Sequence, residues 1–380
     1  MKAHEVLPAA APLAGFDHLH AAHCESGVST ALFREVGLDL SEPLVFGIGS
    51  GLFFVHLSFL RIMGHPLTSF RSMPGGIFSK AARRLGVQTQ RETYRRPEAA
   101  MRRLDALLDE GARVGLQVNI FWLPYIPKAM RVHFNGHNLI ALERRGDRYL
   151  VSDPIMEDLF ECPADALERA RFSGGPRFLS RGLMYRVLGR QSEPPLEEAV
   201  LAGLRETCDR MVRIPRVVPY FAVQGVRHLG RRMPRWPEWY GDRRAAEWLA
   251  GIVRMQEEIG TGGAGFRYLF AAFLQEAARS PGGAAAGPFS ERMTAIGDRW
   301  RAFALQASRL ARGRESIGWE ALGAQVLELA DAEEALFTDL DAALRGMPQL
   351  VDSRAVPAGP RDSRDSRAVP ESPRDSGAPV

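Results

Sequence analysis

Cysteine is scarce in this sequence, which has Cys24, Cys162 and Cys208 among its 380 residues and no others. Three scattered thiols are too few for a disulfide framework, and no two of them form the CxxC pair that is typical of zinc sites. A disulfide-stapled secreted scaffold and a zinc ribbon are therefore excluded. Each cysteine is either a reactive group or a small buried side chain.

Long apolar runs are also missing. No stretch of the sequence reaches the roughly 18 apolar residues that a membrane-spanning helix needs. The first residues, MKAHEVLPAAAPLAGF, lack the basic and apolar regions of a signal peptide. We therefore expect a cytoplasmic protein with no membrane span. Hydrophobic residues nevertheless make up 46% of the chain, which is enough for the cores of two domains.

Positive charge is almost entirely arginine and comes in pairs, although the net charge of +4 is modest. The pairs are Arg83-Arg84, Arg95-Arg96, Arg102-Arg103, Arg231-Arg232 and Arg243-Arg244. Such patches suit an acidic partner, or they simply solvate the surface of a protein whose genome favours arginine. The sequence shows no basic stripe interleaved with aromatic residues, so we do not expect nucleic-acid binding.

Strand patterns occupy the first half of the chain and helical patterns the second. Short runs rich in branched and aromatic residues predict strands at 118–124, 138–143, 148–153 and 182–188. After the loop GRQSEPP, apolar residues recur at helical spacing from residue 196 onward. We predict an α+β fold with one domain over 12–190, a mostly helical domain over 196–347 and a disordered tail over 348–380, which repeats DSRAVP and PRDS.

The first cysteine opens a predicted helix. In CESGVSTALFREVG, apolar residues at helical spacing form a buried stripe and Gly37 ends the helix. A thiol at a helix start lies close to unpaired backbone N–H groups and to the positive end of the helix dipole, which stabilise a thiolate. This position suits a nucleophile, which needs a histidine base and a third group to orient that base.

The segment HFNGHNLIALERRGDRYLVSDP, residues 133–154, offers both groups. Its two apolar runs predict a β-hairpin with Arg144-Arg145-Gly146 as a three-residue loop. With this loop, the numbers of two residues that face each other across the hairpin sum to 290. His137 therefore faces Asp153 with Cβ atoms roughly 5 Å apart. A two-residue loop shifts the sum to 291 and leaves the two side chains as diagonal neighbours.

The same residues carry a resemblance to a known family. HCESGVSTAL, FGIGSGLFF and GHNLIAL…VSDP resemble the N-terminal domain of the butirosin biosynthesis acyltransferase family, and EEIGTGGAGFRYLFAAFLQEA resembles its helical C-terminal domain. The resemblance implies a papain-like cysteine fold that takes an acyl group from an acyl carrier protein and passes it to a small amine, giving an amide. It implies no separate cofactor, since the acyl donor is a thioester on the phosphopantetheine of the carrier.

The resemblance also implies a role for each site residue. Cys24 would attack the thioester, His137 would act as its base, and Asp153 would orient His137. The backbone N–H of Cys24 would donate to the oxyanion. Papain-like enzymes usually have a second donor, a glutamine, six residues before the cysteine. This sequence has His18 there, which makes His18 the candidate for that donor. No metal site is expected.

Two glycine-rich segments are candidates for substrate binding. The run GIGSG at 47–51 does not complete a dinucleotide-binding motif, because position 52 is leucine. We expect a tight turn there, with Gly49 and Gly51 close to the active site or the acyl channel. Gly262 and Arg267 lie between two helices of the second half, where they either shape the acceptor side of the cleft or simply end one helix and begin the next.

Other interpretations of the cysteine remain open. It is an inert buried thiol, or it binds zinc together with His18, His20 and His23, although their spacing matches no familiar zinc pattern. The same Cys-His-Asp set also fits a thiol hydrolase or peptidase. A further alternative is a non-catalytic binding module that has the same fold.

Overall fold

The computed structural model describes residues 7–62, 64–173, 182–215, 217–314 and 317–346. The described residues up to 346 form one compact unit. Phe46 from the first half stacks on Phe266 from the second half, and both belong to one hydrophobic core. The division into domains at 12–190 and 196–347 stays a prediction, and the proposed tail at 348–380 lies outside the described residues.

The secondary structure follows the predicted change from mixed to helical. The strands are β1 (Leu52–Ile62), β2 (His65–Arg71), β3 (Val87–Glu92), β4 (Val114–Val118), β5 (His137–Arg145), β6 (Arg148–Ser152), β7 (Leu159–Pro163) and β8 (Met184–Arg190). The helices of the first half are α1 (Cys24–Arg34), α2 (Glu42–Ile48), α3 (Gly76–Arg84), α4 (Pro97–Asp109) and α5 (Ala164–Phe172). Those of the second half are α6 (Leu196–Val212), α7 (Ala222–Arg232), α8 (Trp236–Tyr240), α9 (Asp242–Glu257), α10 (Arg267–Ala277), α11 (Gly287–Ala311) and α12 (Trp319–Arg345).

Six of these strands form an antiparallel sheet in the order β3-β8-β4-β5-β6-β7, while β1 and β2 form a separate antiparallel ribbon. Successive side chains of a strand point to opposite faces. On β5, Leu139 and Ala141 accordingly enter one core, whereas Ile140 and Leu142 enter the other. One core contains residues of α1 and α3 and the other contains residues of α4 and α5, so helices cover both faces of the sheet.

The predicted register of the hairpin between β5 and β6 is wrong. Arg145 pairs with Arg148 across a two-residue turn of Gly146 and Asp147, and the paired numbers sum to 293 near the turn. A bulge between Ala141 and Glu143 then shifts the sum to 292. Gly146 has φ of +63°, which glycine adopts readily, so a Gly-Asp turn closes the hairpin where a three-residue loop was expected.

One further prediction of secondary structure is wrong. The stretch 118–124 is the end of β4 followed by a turn of 3-10 helix, because the Asn119 side chain accepts the N–H of Phe121 and caps that turn. The apolar segment after the GIGSG turn, for which no element was predicted, is strand β1. The helix predicted at Cys24 is confirmed, and its residues Cys24 to Phe33 are all buried.

The predicted α+β class is confirmed, with a helix that begins at a cysteine packed against an antiparallel sheet. Among the described helices, none combines the length and the apolar character that crossing a membrane requires.

Candidate active site

Cys24 is the first residue of α1, and the turn before it is held by a buried network. The side chain of His23 caps the helix by accepting the N–H of Ser26 at 3.2 Å. The Glu42 carboxylate accepts the backbone N–H groups of Ala22 and His23 at 2.8 and 2.9 Å. It also accepts the Ser26 hydroxyl at 2.7 Å. These contacts fix the backbone at the nucleophile, whose own exposed fraction is 9%.

A glycine lets the cysteine helix approach the end of the hairpin. A Cβ atom at Gly27 would lie 2.6 Å from the Cβ of Pro154 and 2.7 Å from that of Ala21, closer than real side-chain contacts allow. The backbone N–H of Ala21 donates to the carbonyl of Pro154 at 2.6 Å. The CESG segment and the DP segment therefore bring the start of α1 next to Asp153.

His137 lies between the other two predicted catalytic groups. Its Nε2 is 2.7 Å from Oδ2 of Asp153, a carboxylate with no exposed surface. Asp153 is fixed in turn by the hydroxyl of Tyr125 at 3.0 Å and by the N–H of Ile155 at 3.3 Å. The His137 side chain also lies close enough to the Cys24 thiol for each group to shift the pKa of the other. Because Nε2 faces the carboxylate, Nδ1 is the nitrogen that serves the sulfur.

The electrostatics of the pair favour a thiolate beside an imidazolium. Burial alone raises the pKa of a thiol, but the charge and hydrogen bond of His137, with smaller contributions from Arg71 and the Asn138 backbone, hold the pKa of Cys24 below its ordinary value. Burial lowers the pKa of His137, yet the charges of Asp153 and Cys24 raise it to about 10. Both shifts stabilise the charged form of each partner.

The rate of alkylation by a neutral reagent should report this ion pair. Since the pKa of Cys24 is lowered, we expect its reaction with iodoacetamide to stay fast as pH falls through 8, where an ordinary thiol is mostly protonated. Burial raises the pKa of Cys162 to about 12 and also raises that of Cys208, so these thiols should stay unmodified at neutral pH. Peptide mass spectrometry across the pH range would measure all three cysteines. An ordinary thiol titration for Cys24 would contradict the ion pair.

A family model covers the segment of the chain that contains this site. Residues 23–154 match the family model described as butirosin biosynthesis protein H, N-terminal. That segment contains Cys24, His137 and Asp153. This part of the chain is therefore similar to the N-terminal domain of butirosin biosynthesis protein H. Residues 165–340 match a domain of unknown function, DUF4872.

Comparison with solved structures finds a C39-like peptidase from Bacillus anthracis, with 12% sequence identity and a TM-score of 0.33. The similarity covers 47% of this chain and 98% of the peptidase. No curated protein is significantly similar to the chain.

His18, the predicted oxyanion donor, has other partners. Its Nδ1 lies 2.8 Å from the hydroxyl of Ser152, and its Nε2 lies 2.9 Å from the carbonyl oxygen of Met156. The carbonyl can only accept, so Nε2 carries the proton and Nδ1 accepts from Ser152. Neither ring nitrogen has an N–H left for an oxyanion, so these contacts do not support the proposed role.

The histidines around Cys24 do not form a metal site. His23 is the helix cap, and its Nε2 faces the guanidinium of Arg71, which together with burial lowers the pKa of His23 well below its ordinary value. Within the described ranges, no three His, Cys, Asp or Glu side chains are grouped in a way that could hold a metal ion. The geometry therefore disfavours zinc binding by this segment.

Of the predicted substrate-binding residues, Gly262 is the one that the structure places near the nucleophile. It has φ of +66°, and a Cβ atom there would lie 3.2 Å from the Cβ of Ala22. Gly49 and Gly51 lie in the core, where added Cβ atoms would meet Ile77 and Phe46 at 2.8 and 2.4 Å. These two glycines permit tight packing, and the structure gives them no surface for a ligand.

The prediction that Arg267 binds substrate is not supported. Its guanidinium has no exposed surface and makes a bidentate ion pair with Glu333 at 2.9 and 3.0 Å. The remaining amino group donates to the carbonyl of Gly265 at 2.7 Å, and the cation lies over the rings of Phe70 and Trp300. Arg267 is a buried structural cation, since binding a ligand would require breaking these contacts.

A second buried ion pair borders the site and was not predicted from the sequence. Glu25 directly follows Cys24, has no exposed surface and pairs with Arg71. Its oxygens also accept the N–H groups of Gly75, Ile77 and Phe78 at the start of α3. Arg71 contributes to the lowered pKa of Cys24. The only sequence signal for this pair is an acidic residue in the first turn of the cysteine helix.

Proposed function

We propose that this protein is a cysteine acyltransferase that moves an acyl group from the phosphopantetheine thioester of an acyl carrier protein to an amine, in the biosynthesis of a secondary metabolite. The observation that carries the proposal is the position of His137 between the Cys24 thiol and the buried Asp153 carboxylate. A thiolate prepared in this way attacks an acyl donor and holds the acyl group.

His137 donates a proton in the first half of the reaction and accepts one in the second half. The Cys24 thiolate attacks the thioester carbonyl carbon, and the carrier thiol leaves with a proton from the His137 imidazolium. An amine then attacks the acyl-cysteine, and the neutral imidazole takes the proton that the amine loses. Collapse of that adduct forms the amide and restores the thiolate beside the imidazolium. Asp153 keeps Nδ1 of His137 directed at the sulfur throughout.

The packing of the second half supports transfer rather than hydrolysis. The glycine turn at Gly262 lies against Ala22, and the ring of Phe266 packs edge-on against His23 at a centroid distance of 5.0 Å. Ala22 and His23 directly precede the nucleophile. A helical half that contacts this segment limits the access of water to an acyl-cysteine, which favours attack by a bound amine.

Intact mass spectrometry tests the proposal. The protein is mixed with a panel of acyl carrier thioesters and then with candidate amines. We expect a mass increase equal to the acyl group, its absence in Cys24→Ala, and its loss with amide formation when the amine is added. Release of free acid at the same rate with and without amine would indicate a hydrolase. No adduct across the panel, or normal turnover by Cys24→Ala, would contradict the proposal.

Exposed arginines are the proposed docking contacts for the acidic carrier. Arg84 pairs with Glu206 and Arg103 with Glu92, so these two are engaged, whereas their neighbours Arg83 and Arg102 are exposed. The single variants Arg83→Glu and Arg102→Glu should each raise the KM for the carrier by about 3- to 10-fold, the effect of roughly 1 kcal/mol from a rim charge.

The matched control for docking is Arg312→Glu, an exposed arginine in the helical half. It makes the same change of charge and should leave the KM for the carrier unchanged. The alkylation rate of Cys24 should be the same in all three variants, because none of them touches the thiol. An unchanged KM in both Arg83→Glu and Arg102→Glu would remove the docking proposal.

A further inference from the structure

Asn138 lies directly against the nucleophile. It follows His137 on β5, and its exposed fraction is 2%. Its Nδ2 lies 3.8 Å from Sγ of Cys24, within the longer range of hydrogen bonds to sulfur. The residue therefore presents a neutral N–H donor to the reacting atom, in addition to the imidazole of His137.

The orientation of the Asn138 amide is fixed by two partners. The hydroxyl of Tyr185 donates to Oδ1 at 2.9 Å, and Nδ2 donates to the carbonyl of Gly136 at 3.1 Å. An amide nitrogen has two hydrogens, so one N–H serves Gly136 and the other is directed at the sulfur. Burial raises the pKa of Tyr185 well above its ordinary value, which keeps its hydroxyl protonated as the donor.

An oxyanion site near Cys24 needs a side-chain donor that His18 does not provide. When Cys24 attacks a carbonyl, the carbonyl oxygen becomes an oxyanion on the carbon bonded to Sγ, so it forms close to the sulfur. The backbone N–H of Cys24 is one donor at this place. The ring nitrogens of His18 are both engaged by Ser152 and Met156. Asn138 carries a buried N–H that already reaches the sulfur.

We propose that Asn138 is a catalytic residue whose carboxamide N–H supports the Cys24 sulfur in the free enzyme and donates to the oxyanion during acyl transfer. This inference rests on the proposed function, because it assigns a donor to the same reaction. In the step concerned, the Sγ lone pair forms the S–C bond and the C=O π pair moves to oxygen. Collapse of the intermediate returns that pair to the carbonyl and expels the leaving group, which takes a proton from His137.

Two reactions of the Cys24 sulfur distinguish an oxyanion donor from a residue that only supports the thiolate. Acylation by p-nitrophenyl acetate passes through an oxyanion, whereas alkylation by iodoacetamide does not. Both require the Cys24 thiolate. The ratio of the two rate constants in one protein therefore reports the oxyanion donor and cancels any change in the fraction of thiolate.

The variant Asn138→Ala should lower the acylation rate by about 10²- to 10³-fold, the usual effect of removing one oxyanion donor. Its alkylation rate should fall by less than about tenfold, which corresponds to a change of one unit in the pKa of the thiol. Tyr185→Phe removes the hydroxyl that orients the amide and should lower the acylation-to-alkylation ratio to an intermediate value. Gln117→Ala, a buried amide on β4 opposite Asn138, is the control and should keep the wild-type ratio.

An unchanged acylation-to-alkylation ratio in Asn138→Ala would overturn the proposal. If both rates fell equally, Asn138 would be a residue that only supports the thiolate. Thermal unfolding of each variant shows whether the fold is kept, and Tyr185→Phe tests the amide without removing it. The ester acylates a reactive thiol whatever its natural donor. A wild-type protein that reacts with the ester but with no carrier thioester would contradict the proposed function, while the ratio would still decide the role of Asn138.

Discussion

Replacing His137 by alanine should lower the rate of Cys24 acylation by about 10³- to 10⁴-fold, the effect of removing a general base that acts as a unit with its nucleophile. The imidazole holds the pKa of Cys24 below its ordinary value, so the variant loses thiolate at neutral pH as well as the proton donor for the leaving thiol. Single-turnover acylation, followed by intact mass, measures the change.

The matched controls for this prediction test geometry and charge. His133→Ala removes an exposed histidine that stacks on Phe121, four residues before His137, and should leave the rate unchanged. Asp153→Asn keeps the shape of the carboxylate but loses its charge, so the alkylation midpoint of Cys24 should move toward that of an ordinary thiol. A His137→Ala variant that is acylated at the wild-type rate would exclude His137 as the base.

Replacing Arg267 by alanine should destabilise the protein by about 3–5 kcal/mol, the usual cost of leaving one charge of a buried ion pair without its partner. Glu333 would keep its carboxylate with no exposed surface, and among the described residues the donor left to it would be the indole N–H of Trp300 at 2.7 Å. The cavity left among Phe70 and Trp300 adds to the loss. Urea unfolding followed by circular dichroism measures the free energy of unfolding.

An exposed ion pair provides the comparison. Arg292 and Asp339 join α11 to α12 at 2.9 Å with both side chains about half exposed, so Arg292→Ala should cost less than about 1 kcal/mol. The double variant Arg267→Met, Glu333→Leu should be more stable than Arg267→Ala, because it leaves no unpaired buried charge. A fully stable Arg267→Ala protein with a raised KM for the amine would instead restore Arg267 as a substrate-binding residue.

The helix at Cys24 and the hairpin were predictable because their signals are local. A cysteine followed by residues at helical spacing and a terminal glycine identifies α1, and two apolar runs around a charged turn identify β5 and β6. The register was not predictable in detail. A bulge between Ala141 and Glu143 depends on packing across the sheet, and the Gly-Asp turn was mistaken for a longer loop.

The candidate site was also predictable only in part. The residue types of Cys24, His137 and Asp153 and their chain order suggested the set, and the structure brings them together even though the predicted register is wrong. Asn138 was missed because its role depends on which way one amide points, and that is set by Tyr185, 47 residues away. Arg267 was misjudged because an arginine beside a glycine turn gives no sign of burial, which Glu333 on another helix makes possible.

The α+β class, the cysteine at a helix start and the pairing of a histidine strand with an acidic strand end can be derived from the sequence alone. These follow from propensity and periodicity, which act over a few neighbouring residues. The three-dimensional packing was needed to show which polar groups contact the sulfur, which arginines are buried and which partners hold the ring nitrogens of the histidines. Those outcomes follow from desolvation and hydrogen bonding between segments more than a hundred residues apart, as when α1 is brought against Pro154 by the absence of a side chain at Gly27.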